Sequence, residues 1–151
     1  MDPKTLHALL EAVRKGDVSP DQAAEQLRTL PFEDLGFAKV DHHRALRRGF
    51  PEAVFGAGKT PEQIAAIVDR IAAQGQNVIV TRTTAVEHHR VLDSQPSAVF
   101  HETARCITLE MKAAAALPGR LAVVAAGTSD MPVAEEAAIT ASFYGATVDR
   151  I

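Results

Sequence analysis

The sequence predicts an α/β protein in which a small mixed α+β domain is followed by the opening strand, loop and helix of a parallel sheet. Three observations predict it. Helix-start signatures recur: Ser19-Pro20-Asp21-Gln22 and Thr60-Pro61-Glu62-Gln63 each set a hydroxyl cap, a proline at the first helical position and a Gln two residues further on. Short β-branched runs lie between helical stretches, most clearly Asn77-Val78-Ile79-Val80-Thr81. The run Leu121-Ala122-Val123-Val124-Ala125-Ala126 is continuously apolar, the pattern of a strand covered on both faces by helices, and a polar turn and a helical stretch follow it.

The first helix is expected from about Pro3 to Lys15, with Leu6, Leu9, Leu10 and Val13 on one stripe and Gly16 as a left-handed stop. A second, from Ser19 to about Leu30, carries Ala23, Ala24 and Leu27 and completes a helical hairpin through Gly16-Asp17-Val18. Residues 35–58 read as strand and loop, with Ala53-Val54-Phe55 apolar and glycines at 36, 49, 56 and 58. A capped helix follows from Thr60 to Gln74, with Ile64, Ile67, Val68 and Ile71 inward and Gly75 closing it. Thr84 to Glu87 can cap another helix, and Ala98-Val99-Phe100 and Cys106-Ile107-Thr108-Leu109 are short strands. Leu117-Pro118-Gly119 breaks the pattern, so a boundary is placed near 117 between domains 1–117 and 118–151. Beyond it come the apolar strand, a turn at Gly127-Thr128-Ser129-Asp130, a helix from Met131 to Tyr144 and a strand starting at Ala146.

Composition limits the function classes. With 151 residues, 46% hydrophobic and 23% charged, the chain has the make-up of a folded domain and of neither a disordered nor a fibrous one. Cations and acids nearly balance, 10 against 11 over residues 1–75 and 6 against 8 over 76–151, and aromatics are 5% with no Trp. A nucleic-acid surface is therefore not expected, nor a base-stacking platform. Apolar runs stop at six residues and Met1-Asp2-Pro3 is unlike a signal peptide, so no membrane partner is expected and the expected location is the cytoplasm. One cysteine, Cys106, excludes an internal disulfide and fits a reducing compartment.

Four features could carry chemistry. At Gly127-Thr128-Ser129-Asp130 a strand end meets a helix start, so N–H groups, a helix dipole and two hydroxyls converge where a phosphate would bind; the plain alternative is a helix cap. Gly56-Ala57-Gly58-Lys59-Thr60 lacks the glycine that a P-loop needs at position 53, where Ala53 stands, but Lys59 beside the glycines can contact an anion. In Lys39 to Arg48, Arg44, Arg47 and Arg48 suit carboxylate or phosphate. His42 and His43 diverge on either a strand or a helix and share no single metal, as do His88 and His89, so no metal ligands are assigned. Cys106 alternates with strand residues and has no His beside it, which reads as a core thiol.

The block Asp41-His42-His43-Arg44-Ala45-Leu46-Arg47-Arg48-Gly49-Phe50-Pro51-Glu52, continued by Phe55-Gly56-Ala57-Gly58-Lys59-Thr60-Pro61-Glu62-Gln63, resembles the N-terminal domain of the LarB family of nickel-pincer nucleotide cofactor biosynthesis. A second block, Val123 to Asp130 with Pro132-Val133-Ala134-Glu135-Glu136-Ala137, resembles the opening β-loop-α of the aminoimidazole ribonucleotide carboxylase (PurE-like, flavodoxin-like three-layer) fold. The resemblance implies carboxylation of the pyridinium ring of nicotinic acid adenine dinucleotide with carbon dioxide or bicarbonate, plus phosphoanhydride hydrolysis releasing AMP. It implies no tightly bound cofactor, Mg2+ as the ion suited to the phosphoanhydride step, and a homo-oligomer formed through the carboxylase domain.

Carried over by position, Ser129 and Asp130 match the Ser-Asp pair that holds the nucleotide's ribose and phosphate, and Gly127 stands where that fold usually has Ser, so that contact is lost or shifts to Thr128; Gly127, Thr128, Ser129 and Asp130 are the substrate-binding candidates here. Arg44 and Lys59 join them as substrate-binding candidates, and His42, His43, Arg47 and Arg48 extend the set. The cysteine whose thiolate activates the ring lies, in the family, near the C-terminus, so no catalytic residue is assigned on this chain and the thiolate is expected beyond Ile151. Residues 119–151 supply one strand, one helix and the start of another strand, and the expectation is that the chain carries an incomplete second domain and is inactive alone. Two other readings stay open: a non-catalytic mononucleotide-binding or assembly module, and a purine-pathway carboxylase, which leaves the Asp41-to-Gln63 block unexplained.

Overall fold

The computed structural model of the chain describes residues 3–27, 32–42 and 44–151, without the side chains of Leu46 and Arg47. The chain divides into two compact units, Met1–Glu52 and Ala53–Ile151.

In the first unit α1 (Pro3–Lys15) and α2 (Pro20–Leu27) form the expected hairpin, burying Leu9 and Ala23. Gly16 turns the chain at φ +82°, and its N–H and that of Asp17 close the end of α1 on Val13 and Ala12. Ser19 caps α2 reciprocally: its hydroxyl accepts from Gln22 N at 3.1 Å while the Gln22 side chain accepts from Ser19 N at 2.9 Å. The end expected for this helix at 28–30 lies outside the described residues. Strands β1 (Phe32–Asp34) and β2 (Lys39–Asp41) pair antiparallel around Gly36.

The stretch expected as strand and loop contains a helix, α3 (Arg44–Arg48). Arg-Ala-Leu-Arg-Arg is a run of strong helix formers, Ala45 is buried, and Gly49 at φ +79° ends the turn by donating to Ala45 O.

The second unit is built on a four-stranded sheet of order β3-β4-β6-β5: β3 (Ala53–Phe55), β4 (Val78–Thr81), β5 (Val99–His101) and β6 (Cys106–Leu109). β3 runs parallel to β4, as a crossover through the intervening helix α4 (Pro61–Ala73) requires, and the other pairs are antiparallel. The register sets Val54, Val80, Ile107 and Phe100 on one face and Ile79, Cys106, Thr108 and His101 on the other. On the first face α4 buries Ile64, Ile67, Val68 and Ile71, as its period predicts, and α5 (Ala85–Leu92) buries Val91 and stacks His88 on Phe100 at 5.6 Å.

Strands β7 (Arg120–Val123) and β8 (Thr147–Arg150) flank α6 (Met131–Phe143) in sequence and pair parallel, extended by Ala125 N to Ile151 O and Ile151 N to Val123 O. The parallel β-loop-α-β expected here is present. Coverage on both faces is not: Leu121 is 45% and Val124 70% exposed. One helix shields one side of a two-stranded sheet, and among the described residues no second helix covers the other. No described helix is long and apolar enough to cross a membrane.

Candidate functional site

The carboxyl ends of β3 and β4 open into two loops that each start a helix. Gly56 donates to Thr81 O at 2.7 Å, and a Cβ on it would lie 2.7 Å from Thr83 Cγ2 and 2.8 Å from Thr81 O, so only glycine fits. Lys59 turns back on this loop, Nζ donating to Phe55 O at 2.6 Å. The start of α4 is sealed by its own side chains: Thr60 Oγ1 accepts from Gln63 N, Gln63 Oε1 accepts from Thr60 N, and Pro61 has no N–H. The start of α5 is sealed likewise by Thr84 and Glu87, and these hydrogen bonds hold the Glu87 carboxyl below its ordinary range although burial opposes them. Neither terminus offers a phosphate many free donors.

The start of α6 differs. Asp130 N donates to Gly127 O at 3.0 Å, which closes the Gly127–Asp130 turn, but no side-chain cap is made by Asp130. Among the described residues no carbonyl or side chain takes the N–H groups of Thr128, Ser129 and Met131, and Thr128, Ser129 and Asp130 are exposed. The capping alternative for Ser129 and Asp130 is thus not realised, and the turn presents open donors, two hydroxyls and the positive end of a helix dipole.

This turn shares an end of the second unit with the loops after β3 and β4. Glu136 of α6 meets Arg82, the residue after β4, with Oε2 2.7 Å from Nε. Six residues of helix, about 9 Å, separate Glu136 from Asp130. Arg82 and Arg105 both adopt left-handed backbone, at φ +58° and +51°, and Thr83 bridges them by donating its N–H and hydroxyl to Arg105 O at 2.8 and 3.1 Å. The residue types gave no notice of either arginine, since left-handed arginine is uncommon and the contacts that hold them come from distant segments.

The remaining candidates have structural settings. His42 is 1% exposed, its Nε2 3.0 Å from Glu33 Oε2, which ties the end of β2 to β1. Arg44 and Arg48 are exposed on α3; His43 and the Arg47 side chain lie outside the described residues. His88 Nε2 lies 3.1 Å from Ala98 O. Cys106 is fully buried, its Sγ donating to Ala104 O, and burial first and the Glu136 charge second push its thiol up to about 11, so it stays protonated at neutral pH. Among the described residues no three His, Cys, Asp or Glu come together as a metal site.

The family model described as the LarB/PurE-like N-terminal domain matches residues 32–112. The chain belongs to this family. The match covers the Asp41-to-Gln63 block and runs on to Lys112, the residue whose backbone Asn77 holds by two hydrogen bonds. A relative from Methanocaldococcus jannaschii, the uncharacterized protein MJ0165, is 28% identical over 151 aligned residues, covering 94% of this chain. The chain spans 58% of the length of that relative.

Proposed function

We propose that the chain takes part in carboxylating a pyridine dinucleotide. In this reading carbon dioxide or bicarbonate adds to the pyridinium ring of nicotinic acid adenine dinucleotide, the ring proton leaves, and water cleaves the phosphoanhydride to release AMP. Membership of the LarB/PurE-like family supports the reaction class. The observation that carries the site is the open Gly127–Asp130 turn at the carboxyl end of a parallel strand, the one described helix start among α4, α5 and α6 that lacks a side-chain cap and leaves its donors for a ligand.

The turn's N–H groups and the Thr128 and Ser129 hydroxyls would hold a phosphate. Asp130 would accept from ribose hydroxyls or serve as a protein carboxylate on a Mg2+ carried by the phosphates, an ion that usually takes only one or two such ligands. Lys59 is the cation of the same unit assigned to the remaining negative charge. Cys106, buried and held as a thiol, is unsuited to activating the ring by thiolate addition. Assembly of copies through the β7–α6–β8 segment, whose Leu121, Val124 and Ile151 are exposed, belongs to the same reading.

The test is mass spectrometry of the products from nicotinic acid adenine dinucleotide and carbon-13 bicarbonate, run on this chain and on a version extended at the C-terminus, with Ser129→Ala in each. One added labelled carboxylate together with AMP supports the reading, and loss of both in Ser129→Ala places the turn in it. The setting of Cys106 favours one second reading, a mononucleotide-binding module without turnover. Calorimetric binding of nicotinate mononucleotide, weakened by Ser129→Ala and with no labelled product from either version, would decide for that module.

A further inference from the structure

We infer that residues 115–151 form a module that swings off the four-stranded sheet as one body about Ala113 and Ala114, and that an ionic seam under α6 holds it closed over Cys106. The hinge is located by what holds the chain on either side of it. Asn77 fixes the sheet side: its Oδ1 accepts from Met111 N and Lys112 N at 2.9 and 3.0 Å, and its Nδ2 donates to Lys112 O at 2.8 Å. The module side begins three residues later, at Ala115. Leu117 N donates to Gly145 O, and Gly145 presses so close that a Cβ on it would lie 2.2 Å from Ala115 O. Ala113 and Ala114 between these anchors are exposed, and no described hydrogen bond holds their backbone. The family match stops at Lys112, on the sheet side of this hinge.

The seam is of a kind that opens. α4, on the other face of the sheet, buries Ile64, Ala65, Ile67, Val68, Ile71 and Ala72, whereas α6 buries only Ala138. Beneath α6 the sheet presents the buried Ile79, Cys106 and Thr108 and, at its margin, His101, whose Nε2 is 2.9 Å from Thr108 Oγ1. The tie across the seam is the Arg82–Glu136 pair, with side chains 37% and 21% exposed. Next to it Glu135 accepts from Arg150 of the module at 3.1 Å, and its charge also reaches His101. A partly exposed ion pair contributes little beside a buried apolar face, so separation of the module should cost less than unfolding of the sheet. The Gly127–Asp130 turn travels with the module, whatever it binds.

The test is the rate at which a water-soluble aromatic disulfide labels Cys106 in the native protein, measured beside hydrogen exchange of the Ile79 and Val80 amides, which report unfolding of the sheet. Cys106 should label faster than those amides open. Glu136→Gln should raise the labelling rate about two- to fivefold, the range an ion pair of this exposure supports, with the amides unchanged. In the open form Glu136 has moved away, so wild type and variant expose the same thiol. Raising NaCl from roughly 0.05 to 1 M should act on the wild type in the same direction, and decides the matter if Glu136→Gln does not fold. Labelling in step with the Ile79 and Val80 amides would overturn the separate module. Faster labelling that neither Glu136→Gln nor salt changes would overturn the ionic seam.

Discussion

Replacing Gly56 by alanine tests how tightly the loop after β3 is pressed against the turn after β4. The new methyl would sit 2.7 Å from Thr83 Cγ2 and 2.8 Å from Thr81 O, and one of these atoms is backbone that cannot rotate away. Relief requires the loop to withdraw, which stretches the 2.7 Å bond from Gly56 N to Thr81 O. Overpacking of this kind costs about 1–3 kcal/mol, and a weakened hydrogen bond adds about 1 kcal/mol. The sum, roughly 2–4 kcal/mol, corresponds to a fall in Tm of about 4–16 °C for a chain of this size. Gly58→Ala is the comparison: nothing lies within 4 Å of its added Cβ, so only the left-handed φ of +82° opposes it, at about 1 kcal/mol. Urea unfolding followed by circular dichroism measures both. Equal losses at the two positions, or a Gly56→Ala protein as stable as wild type, would refute the close approach of these loops.

Two further outcomes follow from single contacts. Removing the Thr60 hydroxyl with Thr60→Ala leaves Gln63 N without its cap and should cost about 1 kcal/mol in the same urea assay, with Thr60→Ser retaining most of it. Cys106 should make stability fall at alkaline pH: its thiol is raised from 9.0 to about 11 in the folded chain, so the unfolded chain gives up the proton first. The contribution is full below about pH 9 and is lost as pH rises towards 11, and Cys106→Ala should flatten that part of the profile.

Local signals carried much of the fold. The caps at Ser19, Thr60 and Thr84 need only residues within three positions, and all three form. The short strands of the four-stranded sheet and the parallel β-loop-α-β after residue 119 were legible from periodicity and β-branching, whereas the β1–β2 hairpin was not. The helix Arg44–Arg48 was hidden because a cluster of charge and His reads as loop, while its propensity and the buried Ala45 favour a turn of helix. The exposure of Leu121 and Val124 was hidden for another reason: an apolar run says that cover is wanted and not whether it is supplied. At the candidate site, the turn at Gly127–Asp130 could be read from its residues. Its open donors could not, and neither could the left-handed Arg82 and Arg105 or the pair Arg82–Glu136, which joins residues 54 positions apart. Sequence also could not show that Gly56 is required by Thr81 and Thr83, because that constraint exists only once β3 and β4 are paired.

The central claim is that the Gly127–Asp130 turn receives the phosphate of a pyridine nucleotide, and titrating the protein with nicotinate mononucleotide while following its backbone amides tests it most directly. Saturable shifts of the Thr128, Ser129 and Met131 amides are expected, strongly reduced in Ser129→Ala, with the α4 core amides of Ile64 and Val68 unmoved. Saturable binding that leaves those three amides in place, or no shift anywhere up to millimolar ligand, would contradict it.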